Sequence, residues 1–186
     1  GAISIPADIR GRAVRPANDP AKVTSWLNEC LTNHSMCQLS RGSGGDGGSD
    51  KRKRFFPMRL INVGPQDGSQ RPYLDESDGR DGEYLTLSYR WGDPSLITQT
   101  TEATLADFRQ GIAISSLCQT FQDAIALTRN LDVRYLWIDS LCIIQDSAED
   151  KAQQLPQMAD IYENSLSTIS AAISTGGASG MFYPRT

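Results

Sequence analysis

Residues 135–146 read YLWIDSLCIIQD, an apolar run that ends in an aspartate, a cysteine, a glutamine and a second aspartate. Tyr135, Leu136, Trp137 and Ile138 are apolar at successive positions. A strand of that kind is buried on both faces, as in the centre of a sheet covered by helices on both sides. The strand is read through residues 132–144, DVRYLWIDSLCII. Its polar end, with Asp139, Ser140, Cys142, Gln145 and Asp146, marks either the point where the strand surfaces or the floor of a site.

The flanking segments set the rhythm. YLTLSYRWGD, residues 84–93, alternates Leu85, Leu87 and Tyr89 with Thr86, Ser88 and Arg90, a strand pattern. It runs into the turn residues Gly92, Asp93 and Pro94. After a less regular connection, SLCQTFQDAIALTRNL (116–131) places Leu117, Phe121, Ala124, Ile125 and Thr128 on one side of a helix. PQMADIYENS (156–165) is helical, with Met158, Ile161, Tyr162 and Ser165 on its buried stripe and Pro156 in its first turn. LSTISAAIS (166–174) is a further strand and TGGASG a loop. Strand, helix, strand, helix, strand predicts an α/β fold: an open, mainly parallel sheet with helices on both faces.

Upstream, residues 1–20 are proline-rich and aperiodic and read as an extended arm. VTSWLNECLTNHSMC (23–37) has Trp26, Leu27, Cys30 and Leu31 at helical spacing. RGSGGDGGSD is a flexible glycine-rich loop, and GSGGDGG lacks the strand, lysine and spacing of a phosphate loop. The KRKR that follows it is either a solvated loop flank or an import or phosphate-binding patch. FFPMRLINV (55–63) is a strand, followed by a polar, turn-rich stretch through DESDGRDGE. The organisation expected is an N-terminal extension over 1–54 and a domain over 55–186, with its core at about 83–182.

Composition narrows the function. Of the 186 residues 39% are hydrophobic and 22% charged, as in an ordinary soluble domain. A net charge of -4 and a pI near 5.0 argue against a general nucleic-acid binder, whose phosphate contacts need excess Lys and Arg. No apolar run approaches the roughly 20 residues of a membrane span, and the first residues show no secretory signal, so a cytoplasmic location is expected. The four cysteines, Cys30, Cys37, Cys118 and Cys142, read as reduced thiols. Cys30, His34 and Cys37 could share a helical face and begin a zinc site, but no nearby fourth ligand is evident. Helix packing is the simpler reading, and no metal is expected.

The blocks YLTLSYRWGD, YLWIDSLCIIQD and QMADIYENSLSTISAAIS together resemble the three motif blocks of the HET (heterokaryon incompatibility) domain of filamentous fungi. WLNECLTNHSMC and FFPMRLINV resemble what precedes that domain, so the likeness spans most of residues 23–182. The resemblance implies a cell-death effector acting when unlike hyphae fuse. It also implies a distant likeness to TIR domains, which are flavodoxin-like α/β modules. Some of those cleave NAD at the nicotinamide–ribose bond, and others only assemble with partners.

In an open parallel sheet, ligands sit outside the carboxyl ends of the strands. Ser88, Arg90, Trp91, Gly92 and Asp93 from one strand, and Asp139, Cys142 and Gln145 from the other, are therefore candidate site residues. Arg90 would pair with phosphate, Trp91 would stack on a base or nicotinamide, and Gly92 would let backbone approach a ligand. Asp139, or Asp93 in its place, would accept ribose hydroxyls and favour positive charge developing on the sugar. Each has a plain counterpart: Asp139 as an ion-pair partner of Arg90, and Trp91 as a packed aromatic. Cys142 as nucleophile lacks a nearby base, because His34 is the sole histidine and distant in sequence. Ser88 lacks a nucleophile elbow. The TIR-type catalytic glutamate has no counterpart either, since TGGASGMFYPRT carries no acid. Asp160 and Glu163 point away from the apolar stripe of their helix.

Two functions stay open at this point. One is an NAD glycohydrolase with NAD as substrate and no permanently bound cofactor. The other is a non-catalytic signalling module that acts through further copies of itself or partner proteins.

Overall fold

The computed structural model describes residues 20–34, 55–77, 80–171 and 180–181. The proline-rich arm, the glycine-rich loop, KRKR, Cys37 and the TGGASG loop up to Ser179 lie outside the described residues. Five strands form one sheet: β1 (Arg59–Asn62), β2 (Tyr73–Glu76), β3 (Tyr84–Ser88), β4 (Tyr135–Trp137) and β5 (Ser167–Ser170). Among the described residues six α-helices accompany them: α1 (Pro20–Asn33), α2 (Glu102–Gln110), α3 (Gln119–Asn130), α4 (Asp139–Cys142), α5 (Ala148–Gln154) and α6 (Met158–Glu163).

The sheet order is β2-β1-β4-β3-β5. The α/β class is as expected, but the sheet is mixed rather than mainly parallel. β3 pairs in parallel with β4 and β5, whereas β1 pairs antiparallel with β2 and β4. The difference arises upstream. FFPMRLINV forms a hairpin with Tyr73–Glu76, a strand whose Asp75 and Glu76 make it read as loop. Asp75 is paired with Arg80 at 2.7 Å and Glu76 with Arg109. An edge position lets such charges remain half in water.

Tyr84, Leu85, Thr86 and Leu87 are all buried, so both faces of β3 are covered. Thr86 therefore departs from the outward position its alternation predicts. It is 0% exposed, and its hydroxyl is satisfied by Thr168 Oγ1 at 2.8 Å on the neighbouring strand. α6 lies over the face that Tyr84 and Thr86 share. The Tyr84 hydroxyl donates to Ile161 O at 2.6 Å, and Tyr162 donates to Leu87 O at 3.2 Å. α3 turns Thr120, Phe121, Ala124, Ile125 and Thr128 inward, close to the expected stripe. On α6 Ile161 is buried, Met158 and Tyr162 pack partly against the core, and Asp160 and Glu163 are exposed as expected. Pro156 sits in a 3-10 turn, Leu155–Gln157, that leads into α6.

Two further corrections concern the end of β4 and the buried face of α1. The strand expected over 132–144 covers only Tyr135–Trp137, and the chain turns helical at Asp139. Asp139 Oδ1 accepts the N–H of Ser140 at 2.7 Å, the local bonding by which Asp and Ser draw a backbone out of a ladder. In α1, Leu27, Cys30 and Leu31 are half-buried, but Trp26 is 56% exposed, with the Lys22 ammonium 4.9 Å from its ring centroid.

Candidate functional site

β3 and β4 are parallel neighbours, with Tyr84 opposite Tyr135 and Thr86 opposite Trp137. The chain leaves both strands at the same edge of the sheet, which brings Trp91 to Asp139. The indole Nε1–H donates to Asp139 Oδ2 at 2.7 Å. With Oδ1 held by the Ser140 N–H, the carboxylate has a donor on each oxygen and a set orientation. The ion pair of Asp139 with Arg90 is not what forms. Arg90 is exposed, with no ion pair among the described residues.

Aromatic rings surround the carboxylate. Trp91 and Tyr89 lie nearly parallel, 6.5 Å apart at 10°, and Tyr89 meets Phe121 edge-on at 5.1 Å. The Tyr89 hydroxyl is buried beside Asp139 and Ser140 without a hydrogen bond of good geometry. Burial, and then the Asp139 charge, push its pKa well above the ordinary phenol value. Burial and Asp139 likewise raise Tyr162 to about 12. Both phenols stay protonated around the carboxylate.

The other expected residues fall in different places. Ser88 ends β3, with its carbonyl accepting the Ala171 N–H at 2.8 Å. Gly92 has φ +66°, a left-handed conformation that accounts for glycine at this turn. Asp93 is exposed and caps the 3-10 turn Pro94–Leu96. The Ser95 N–H and hydroxyl hold its carboxyl below the usual range. Cys142 lies in the core at 1% exposure, its thiol pushed up to about 12 by burial. Gln145 Nε2 donates to the carbonyls of Asp139 and Ile143, each at 3.1 Å.

Much of the polar crowding after β4 is stitching. Thr100 and Ile144 form a parallel bridge, and the Gln145 N–H donates to Thr100 O at 2.8 Å. Thr100 Oγ1 donates to Leu141 O at 2.6 Å, Ser140 Oγ donates to Thr98 O at 3.2 Å, and Asp146 accepts the Glu102 N–H at 2.9 Å. Beneath this lies a buried ion pair that the sequence pattern did not reveal, Arg59 with Asp150. Arg59 Nε also donates to Cys142 O at 2.9 Å, and Asp150 Oδ2 accepts the Ile144 N–H at 2.8 Å. The segment carrying Asp139 is thus fastened at both ends. Tyr89 and Tyr162 were legible only as core positions on their strand and helix.

The molecule also holds a cavity of about 700 Å³ at the opposite edge of the parallel strands, between α1, Phe55 and Leu166. It shares no residue with the Trp91–Asp139 cluster. The candidate site is placed at the cluster because an oriented carboxylate lies there beside the side chains of Trp91, Tyr89 and Tyr162. Among the described residues, no three His, Cys, Asp or Glu side chains are placed to hold a metal, and no helix is long and apolar enough to cross a membrane.

Residues 84–186, which contain β3, β4, β5 and the whole cluster, match the model of the family described as heterokaryon incompatibility protein (HET). The chain belongs to the HET family. The HET match begins at Tyr84, so the β1–β2 hairpin and α1 precede it. The chain is 39% identical over 90 residues to heterokaryon incompatibility protein 6, OR allele, of Neurospora crassa. That alignment covers 44% of this chain and 13% of that protein, so the HET chain spans a small part of its relative's length. No solved structure matches the chain.

Proposed function

We propose that this HET domain is a cell-death effector of fungal heterokaryon incompatibility whose Trp91–Asp139 edge binds NAD or a related nucleotide and cleaves it at the nicotinamide–ribose bond. Family membership and the incompatibility relative support the biological role. The chemistry rests on one observation: the Asp139 carboxylate is oriented by Trp91 and Ser140 at the carboxyl edge of β3 and β4. The order β4-β3-β5 of the parallel strands is also that of the first three strands of a flavodoxin-like sheet, 2-1-3, which favours the TIR-like reading.

The nicotinamide of NAD carries its positive charge on the nitrogen bonded to the ribose. When that C–N bond breaks, the electron pair goes to nitrogen and neutral nicotinamide departs without a general acid. Positive charge then develops on the sugar, and water adds to the same carbon, losing a proton. A single oriented carboxylate suffices for such a reaction, because it stabilises the oxocarbenium-like state and orients a ribose hydroxyl. Trp91 supplies a ring edge or face beside it, and exposed Arg90 is available to diphosphate.

A second reading has its own support. Both Asp139 oxygens already have donors, one from the Trp91 indole and one from the Ser140 N–H. A signalling module that acts by assembly, without chemistry, fits those facts. NAD consumption and nicotinamide release by concentrated protein, with Asp139→Asn as control, separate the two. Release by the parent alone supports the hydrolase. Absence of release under assembling conditions, with toxicity retained in folded Asp139→Asn, overturns it in favour of the module.

A further inference from the structure

We propose that the cavity between α1 and the sheet binds a small organic cation with an apolar or aromatic body. Its volume of about 700 Å³ lies within the roughly 300–1,000 Å³ of small-molecule sites. One wall is α1, with Val23, Leu27 and Leu31, and the facing wall holds Phe55, Leu131 and Leu166. All six are only half-buried, which leaves apolar surface for an occupant to cover. Leu131 and Leu166 lie within the HET match and α1 precedes it, so a ligand here would join the two.

The charge of the occupant follows from what surrounds these walls. Glu83 and Glu163 line the cavity and are exposed, and no Lys, Arg or His is among the described residues that line it. The carbonyl ends of three helices meet there as well. Cys30 and Leu31 belong to the last turn of α1, Leu131 caps α3 and Asn164 caps α6, and all four line the cavity. A helix end of this kind carries partial negative charge and favours a cation within its last turn. Neither α1 nor α6 has a basic side chain in that turn. α3 has Arg129, but its guanidinium donates to Val63 O at 2.6 Å and Gln70 O at 2.9 Å. Carboxylates and helix ends therefore act with one sign, and a neutral or anionic ligand gains nothing from them. Trp26, 56% exposed at the rim, has the Lys22 ammonium 4.9 Å from its ring centroid, the contact by which an indole attracts cations.

The test is calorimetric titration of the 186-residue chain with naphthylethylamine, naphthylethanol and naphthylacetate, one ring system with a cationic, a neutral and an anionic end. At low salt the amine should bind about 10-fold more tightly than the alcohol, from modest ion-pair and helix-end contributions together. The acid should bind more weakly than either, and the preference for the amine should shrink as salt rises. Glu163→Gln should reduce that preference by about 3-fold, and Glu163→Lys should abolish it. Glu163 is exposed, so both variants keep the fold. Amide exchange should slow in α1 on binding and stay unchanged at Trp91 and Asp139. Equal or tighter binding of the alcohol marks a purely apolar occupant and overturns the proposal. Absence of binding by all three probes, a preference that survives Glu163→Lys, or protection confined to the Trp91–Asp139 edge overturns it as well.

Discussion

Trp91 and Asp139, 48 positions apart in the chain, are joined by an indole N–H to carboxylate hydrogen bond of 2.7 Å across the ends of two parallel strands. The bond is charge-assisted and partly shielded from water, a combination that contributes more than a neutral surface contact. It ties the turn after β3 to the first residue of α4.

Trp91→Phe keeps a ring but removes the donor. The expected cost is about 1–2 kcal/mol, the penalty for leaving a partly buried acceptor short of one partner. Asp139→Asn keeps one acceptor oxygen but sets an NH2 donor against the Trp91 or the Ser140 N–H and removes the charge, so it should cost more, about 2–3 kcal/mol. Urea unfolding of the two variants checks the order. Equal losses would mean that the Trp91 bond alone accounts for the cost and that the charge of Asp139 adds nothing to stability.

The Arg59–Asp150 pair should behave asymmetrically. Arg59→Met leaves a buried carboxylate unpaired and should destabilise by about 3–5 kcal/mol. Adding Asp150→Leu should recover part of that loss and not all of it, since Cys142 O and the Ile144 N–H each lose a partner. A double-mutant cycle by denaturant unfolding measures the coupling. Additive single losses would show that the two side chains do not act as a pair.

Alkaline pH should weaken the fold. The Cys142 thiol titrates at 9.0 ordinarily and at about 12 when folded. Between those values the unfolded chain has lost a proton that the folded chain keeps, so stability is full below pH 9.0 and falls as pH rises. Tyr162, raised from 10.0 to about 12, adds to the decline from pH 10.0 upward. The thiol contributes at most about 1.4 kcal/mol per pH unit. Unfolding free energies across this range should show a shallower slope in Cys142→Ala, after allowance for that variant's cavity. An unchanged slope would mean that the thiol is not protected from ionisation.

Asp146→Ala should cost about 0.5–1 kcal/mol, because Asp146 accepts the Glu102 N–H in the first turn of α2. Thr101 and Thr104 cap the same end reciprocally, which limits the loss. Thermal unfolding of Asp146→Ala and of Thr101→Ala, compared with the double variant, shows whether the two caps are independent.

Elements with a periodic apolar pattern were legible without coordinates: β1, β3, α3, α6 and β5 lie within the segments read for them. β2, α2 and α5 were not, and the cause is common to all three. YLDE, EATLADFRQ and AEDKAQQ carry little apolar pattern. α2 has no buried residue and is defined by its capping box. α5 is held through Asp150 and Gln154. Polar elements of this kind owe their existence to capping and tertiary bonds that a hydrophobic period does not register.

The same division runs through the candidate site. Local order along the chain determined that Trp91 would follow one strand end and Asp139 would close another, because alternation and apolar runs depend on neighbours a few residues away. The partner each side chain took was decided by tertiary structure. Asp139 binds the indole of Trp91 and not Arg90, Cys142 sinks into the core, and Arg59 reaches Asp150 across 91 positions. Strand order and direction set those distances. They follow from how the whole sheet buries its faces, a global packing outcome that no window of sequence contains.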